Sequence, residues 1–171
     1  MSKPKILFIC THNSARSQIA EGLLRNIYGE KYEVFSAGTN PTKVNPMAIK
    51  VMAEIGIDIS KQYSKGLEEF SDTEIDLAIS VCQSSAKTLC ALCSSPITMG
   101  RPLIVNAMLH KTKNYVVHGF EDPSEVEGTE EEKLAAFRRT RDQIKAWITG
   151  YFVNLITTSQ TNEHKNMPES H

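Results

Sequence analysis

Cys10 and Arg16 stand six positions apart, and the residues between them, Thr11, His12, Asn13, Ser14 and Ala15, are all small or polar. A thiolate attacks electrophilic centres, and a guanidinium offers a planar pair of donors that matches two oxygens of a tetrahedral anion. Where such a segment turns from a strand into a helix, its backbone N–H groups converge on one point and the helix dipole adds positive potential there. The pattern therefore predicts an oxyanion cradle walled by residues 11–17, with Cys10 as nucleophile and Arg16 as clamp. The same field is expected to depress the Cys10 pKa, and Ser17 is placed to donate a hydrogen bond to the sulfur. A Cys-x5-Arg pair alone is weak; the elements around it decide its meaning.

Those elements are legible. Ile6–Cys10 is a continuous apolar run that reads as a buried strand. Ile19, Ala20, Leu23, Leu24 and Ile27 follow at helical spacing. Val34–Gly38 is a second short strand, and Asn45-Pro46 is a helix start that Gly56 ends. Leu77–Val81 and Tyr115–Val117 read as third and fourth strands. Thr129-Glu-Glu-Glu132 is a capping box that opens a long helix with Leu134, Phe137, Ile144, Ile148 and Tyr151 facing inward. Strands alternating with helices imply an α/β class: a small single-domain three-layer fold with a central four-stranded parallel sheet flanked by helices. That domain is expected over residues 1–156, with an insertion at about 94–114 and a polar, disordered tail over 157–171.

Composition excludes other classes. A chain of 171 residues with net charge −1 and no basic stripe lacks the electrostatic footprint of a nucleic-acid binder. Its longest apolar run is too short to span a bilayer, so no membrane association is expected. A cytoplasmic monomer fits these numbers. Four cysteines, Cys10, Cys82, Cys90 and Cys93, are too few for a disulfide scaffold; in a reducing compartment they are catalytic, redox-active, metal-binding or simply buried. Cys82, Cys90, Cys93 and His110 form one alternative, a metal half-site, but it leaves the Cys10–Arg16 cradle without a purpose.

Cys10-x5-Arg16-Ser17, directly after a first strand, resembles the low-molecular-weight tyrosine phosphatase superfamily. The string from Cys10 to Arg25 is similar to its thioredoxin-coupled arsenate reductase branch, as are Ser36–Thr39, Val44–Ile49, Met52–Ser60, Gly119–Pro123 and Gly128–Asp142. The resemblance implies reduction of arsenate to arsenite, with phosphate or sulfate as binding analogues. It implies Cys82 as a second thiol that attacks Cys10, and Cys90 as a third that takes over the disulfide, Cys93 being the alternative. It implies Asp122, before Pro123, as the general acid, with Asn13, Ser17, Glu21, Ser36 and Lys65 supporting the loop. No tightly bound cofactor is implied; electrons would come from thioredoxin, or from glutaredoxin and glutathione. Some members hold a potassium ion beside the loop through an acidic residue where this chain has Lys65, whose ammonium is expected to stand in the ion's place. The other branch, a tyrosine phosphatase using Cys10 and Asp122, walls its slot with aromatic residues after Asp-Pro. Here Ser124 and Glu125 follow, and His12 in the loop is no such wall, which suits a small inorganic anion, with weak phosphatase activity on the side.

Overall fold

The structure is a computed structural model that describes residues 2–82 and 110–165, with side chains through 158. The described chain runs β1 (Lys5–Cys10), α1 (Arg16–Tyr28), β2 (Glu33–Gly38), α2 (Pro46–Ala53), β3 (Ile75–Cys82), β4 (Thr112–Phe120) and α3 (Glu130–Lys165). The four strands form one sheet in the order β2-β1-β3-β4, all parallel. The expected α/β class and four-stranded parallel sheet are what the chain adopts.

Both faces of β1 are buried, which is why its sequence is a continuous apolar run rather than an alternation. Ile6 and Phe8 pack into the larger cluster with α1, α2 and α3, through residues such as Leu23, Val51 and Phe137. Leu7 and Ile9 point the other way, onto Ala37, Ala78, Leu67 and Phe70, the last two from a single 3₁₀ turn. Asn45 caps α2 by accepting a hydrogen bond from Met47 N at 2.9 Å. Gly56 ends the turn after α2 at φ +78°, with Ile57 N bonding Met52 O and Gly56 N bonding Ala53 O. That is a Schellman motif with glycine in its left-handed position. The capping box is real: Thr129 N donates to Glu132 Oε2 at 2.7 Å and Glu132 N to Thr129 Oγ1 at 3.3 Å.

Two expectations need correction. Residues 112–114, assigned to the insertion, are the start of β4. Their polarity misleads because Lys113 and Asn114 face solvent on an edge strand, where Lys113 pairs with Glu74 and Asp76. Residues 157–165, assigned to a disordered tail, continue α3 as helix. Helical hydrogen bonds are local and need no apolar face, and the Thr157 and Thr158 hydroxyls fold back onto Val153 O and Asn154 O. Tyr151 faces inward as expected, half-buried against the core, and its neighbour Phe152, which did not stand out in the sequence, is fully buried. Among the described residues, no helix is long and apolar enough to cross a membrane.

Candidate active site

The parallel register brings the carboxyl ends of β1 and β3 to one edge, beside that of β4, and the chemistry-bearing residues collect there. Cys10 ends β1, Arg16 begins α1, and Ala15 at the N-cap offers no side-chain cap. The first N–H groups of α1 are thus left for a ligand. Asn13 N donates to Cys10 Sγ at 3.2 Å, and Ser17 Oγ lies 2.8 Å from the same sulfur. A chain of hydrogen bonds fixes the direction of the second contact. Ser36 Oγ donates to Glu21 Oε2, so it accepts from Asn13 Nδ2 at 2.9 Å. Asn13 Nδ2 also donates to Ser17 Oγ at 2.8 Å, which leaves the Ser17 proton for Cys10.

Asn13 is buried in the left-handed region at φ 48°, a strained conformation for a residue with a Cβ. Its surroundings over-determine it. Asn13 Oδ1 accepts from Lys65 N and from Gln18 Nε2, both at 2.9 Å. Ser64 Oγ donates to the His12 and Asn13 carbonyls at 2.8 and 2.9 Å, and Gln62 Nε2 donates to Gln18 Oε1 at 2.7 Å. From β2, Gly38 comes so close that a Cβ there would stand 2.6 Å from Thr11 O and 2.8 Å from Asn13 N. Sequence reasoning found Asn13, Ser17, Glu21, Ser36 and Lys65 near the loop; it missed Gln18, Gln62 and Ser64.

Glu21, 3% exposed, takes hydrogen bonds from Arg25 and Ser36 and faces Lys65 Nζ at 3.5 Å. Lys65 Nζ also donates to Tyr63 O at 3.1 Å. The acceptors nearest the brace therefore already serve an ammonium, and a potassium ion would be repelled there. The residues present do not fit that ion.

Above the loop, Arg16 Nη2 pairs with Asp122 Oδ2 at 2.6 Å and Nη1 donates to Phe120 O at 3.0 Å. Asp122 also caps the 3₁₀ turn over Pro123–Glu125, accepting from Ser124 N at 3.0 Å. The cleft between them measures about 220 Å³. Cys10, Arg16 and Asp122 line it, and His12, Thr42, Asn45 and Ser124 stand around it. No Phe, Tyr or Trp is among its described lining residues. Thr42 and Asn45 were not expected there.

Cys82 ends β3, the strand next to β1, and is buried. Its Sγ lies 3.8 Å from Thr11 Oγ1, and neither Cys10 nor Cys82 is in a disulfide. The expected depression of Cys10 is corrected. Burial pushes its thiol up and the neighbouring Cys82 adds to the rise, outweighing the Ser17 hydrogen bond and Arg16, which pull it down. The Arg16 charge is also answered by Asp122. Cys90 and Cys93 lie outside the described residues, as does most of the 94–114 insertion. The alternative metal site depends on the same two cysteines and so lies largely outside the described residues.

The arrangement combines a buried thiol on a strand-to-helix loop, a guanidinium and a carboxyl group at the cleft above it, and a second thiol at the adjacent strand end. The family of low molecular weight phosphotyrosine protein phosphatases matches residues 5–163 of the chain. An arsenate reductase of Halalkalibacterium halodurans is 41% identical over 144 residues, which cover 84% of this chain and 91% of that one. One of Bacillus licheniformis is also 41% identical, with the same 84% and 91% coverage. A solved structure of an arsenate reductase in the phosphate binding state superposes with a TM-score of 0.66 at 29% identity, over 88% of this chain and 98% of that one.

Proposed function

Since the chain belongs to the low molecular weight phosphotyrosine protein phosphatase family, we propose that it is an arsenate reductase whose first disulfide joins Cys10 and Cys82. The observation that carries this reading is Cys82 itself. A phosphatase needs one sulfur in its cradle, whereas reduction of arsenic by two electrons needs a second thiol to take the first sulfur away. Cys82 stands at the end of the neighbouring strand, against Thr11 of the loop. The arsenate reductases similar over most of the chain support the same choice.

In this mechanism arsenate settles on the loop N–H groups and takes over the Arg16 guanidinium from Asp122. The Cys10 thiolate bonds to arsenic as one arsenate oxygen leaves, and Asp122 supplies the proton that lets it depart as water. The Cys82 thiolate then attacks Cys10 Sγ. The sulfur–arsenic bond breaks with its electron pair on arsenic, arsenite leaves, and a Cys10–Cys82 disulfide remains. Cys90 attacks Cys82 and restores the Cys10 thiol, Cys93 being the alternative third sulfur. The Cys82–Cys90 disulfide is reduced by thioredoxin, or by glutaredoxin with glutathione. The thiols this cycle needs persist in the cytoplasm, where we place the protein.

Arsenate-dependent oxidation of NADPH in the presence of thioredoxin and thioredoxin reductase tests the proposal. Turnover that vanishes without arsenate is the expected result, and Cys82→Ser should abolish it while sparing oxyanion binding. Efficient hydrolysis of a phosphotyrosine peptide, with no arsenate-dependent thiol oxidation, would overturn it. Slow hydrolysis of an activated aryl phosphate is expected in either case, because the loop is shared.

A further inference from the structure

Asn45 carries a group that neither the fold nor the mechanism above employs. Its Oδ1 caps α2, and its backbone N donates to Ser14 O at 2.9 Å, tying the start of α2 to the oxyanion loop. The Nδ2 of the same side chain has no hydrogen-bond partner among the described residues, and Asn45 lines the cleft that holds Cys10 and Arg16. Because the amide is planar, seating Oδ1 on the helix fixes where the two Nδ2 hydrogens point.

We propose that Asn45 is a further oxyanion-binding residue, its Nδ2 donating to an oxygen at the mouth of the cleft, away from Cys10. The inference rests on the reading of the loop as an oxyanion cradle. The loop N–H groups and Arg16 serve the oxygens nearest the floor, and an anion with four oxygens has at least one beyond them. Asp122 is an acceptor unless protonated, so another donor is wanted on that side. A neutral amide supplies one without a second positive charge beside the thiol. The start of α2 adds its own positive end at the same place. The residue also sets specificity: a free inorganic oxyanion presents an oxygen to Asn45, whereas an aryl phosphate presents its ring.

The side chain also has a capping role, so the test must separate the two. Serine and aspartate cap a helix as well as asparagine does, and alanine does not. Sulfate, which undergoes no reaction here, is the probe, and its dissociation constant is measured by calorimetry on the reduced full chain. Asn45→Ser is expected to unfold at the parent's temperature yet bind sulfate about tenfold more weakly, the loss of one hydrogen bond to a charged group. Its KM for an aryl phosphate should move much less. Asn45→Asp keeps the cap and sets a carboxylate at the mouth, so it should bind sulfate more weakly still. Parent-like sulfate affinity in Asn45→Ser overturns the proposal. So does an equal loss for sulfate and aryl phosphate, because that marks a general disturbance of the cradle and not the loss of a donor to an oxygen that only the free anion presents. If the parent itself binds no sulfate or phosphate, the cradle reading fails, and this inference with it.

Discussion

Cys10 is held between influences of opposite sign. Burial and the nearby Cys82 favour the thiol; the Ser17 hydroxyl and Arg16 favour the thiolate. The pH dependence of alkylation by iodoacetamide reads the balance directly. The midpoint for Cys10 should lie above that of an ordinary thiol, move down in Cys82→Ser and move further up in Ser17→Ala. The linkage to stability has a definite sign. Below the ordinary thiol range both folded and unfolded chains hold the proton and nothing is lost. Above it the unfolded chain ionises first, so the folded state loses stability as pH rises through the Cys10 range. At this scale the sequence was most informative where partners are neighbours. Cys10, Arg16 and Ser17 lie on one turn, so their types and spacing disclose the cradle. Gln62 and Ser64 did not stand out, because Gln62 bonds Gln18 across 44 residues and Ser64 bonds His12 across 52. Gln18 bonds Asn13 only five residues back, but its ties to Tyr63 and Gln62 exist only in the fold. The rise of the Cys10 pKa was equally hidden, since burial and the neighbour on β3 belong to the folded sheet.

Among the elements, β2 does more than complete the sheet. Its last residue, Gly38, passes so close to the loop that a methyl group there would collide with the backbone of Thr11 and Asn13. Backbone cannot swing aside as a flexible side chain can. Gly38→Ala should therefore cost about 1–3 kcal/mol in chemical denaturation. It should also weaken sulfate binding, because the atoms that must shift belong to the cradle. Retention of full affinity would show that the loop absorbs the methyl group elsewhere. The elements themselves were legible where burial gives a period or a cap gives a signal: β1, α1, the Asn45 cap and the Thr129 capping box. β4 was read too short because its first residues are polar on an edge strand, and α3 was read too short because a helix needs no apolar face to keep its local bonds.

Across the whole molecule, chemistry and much of the aromatic packing lie at opposite ends of the sheet. The carboxyl ends of the strands hold Cys10, Cys82 and the Asp122 turn. Towards the other end, Phe152 of α3 is fully buried, its ring centroid 5.2 Å from that of Tyr32 and 6.2 Å from that of Tyr28. Phe152→Ala should cost about 3–5 kcal/mol of stability. Sulfate affinity, measured where the variant remains folded, should stay that of the parent; a matching loss of affinity would mean that the two ends are coupled. The neighbouring strand ends have one more consequence, which concerns time. Charge on one sulfur discourages charge on the other, and the repulsion is mutual. On the proposed reading, the two strand ends favour one negative sulfur at a time: Cys10 first, and the second sulfur once the charge on Cys10 has passed into its bond with arsenic.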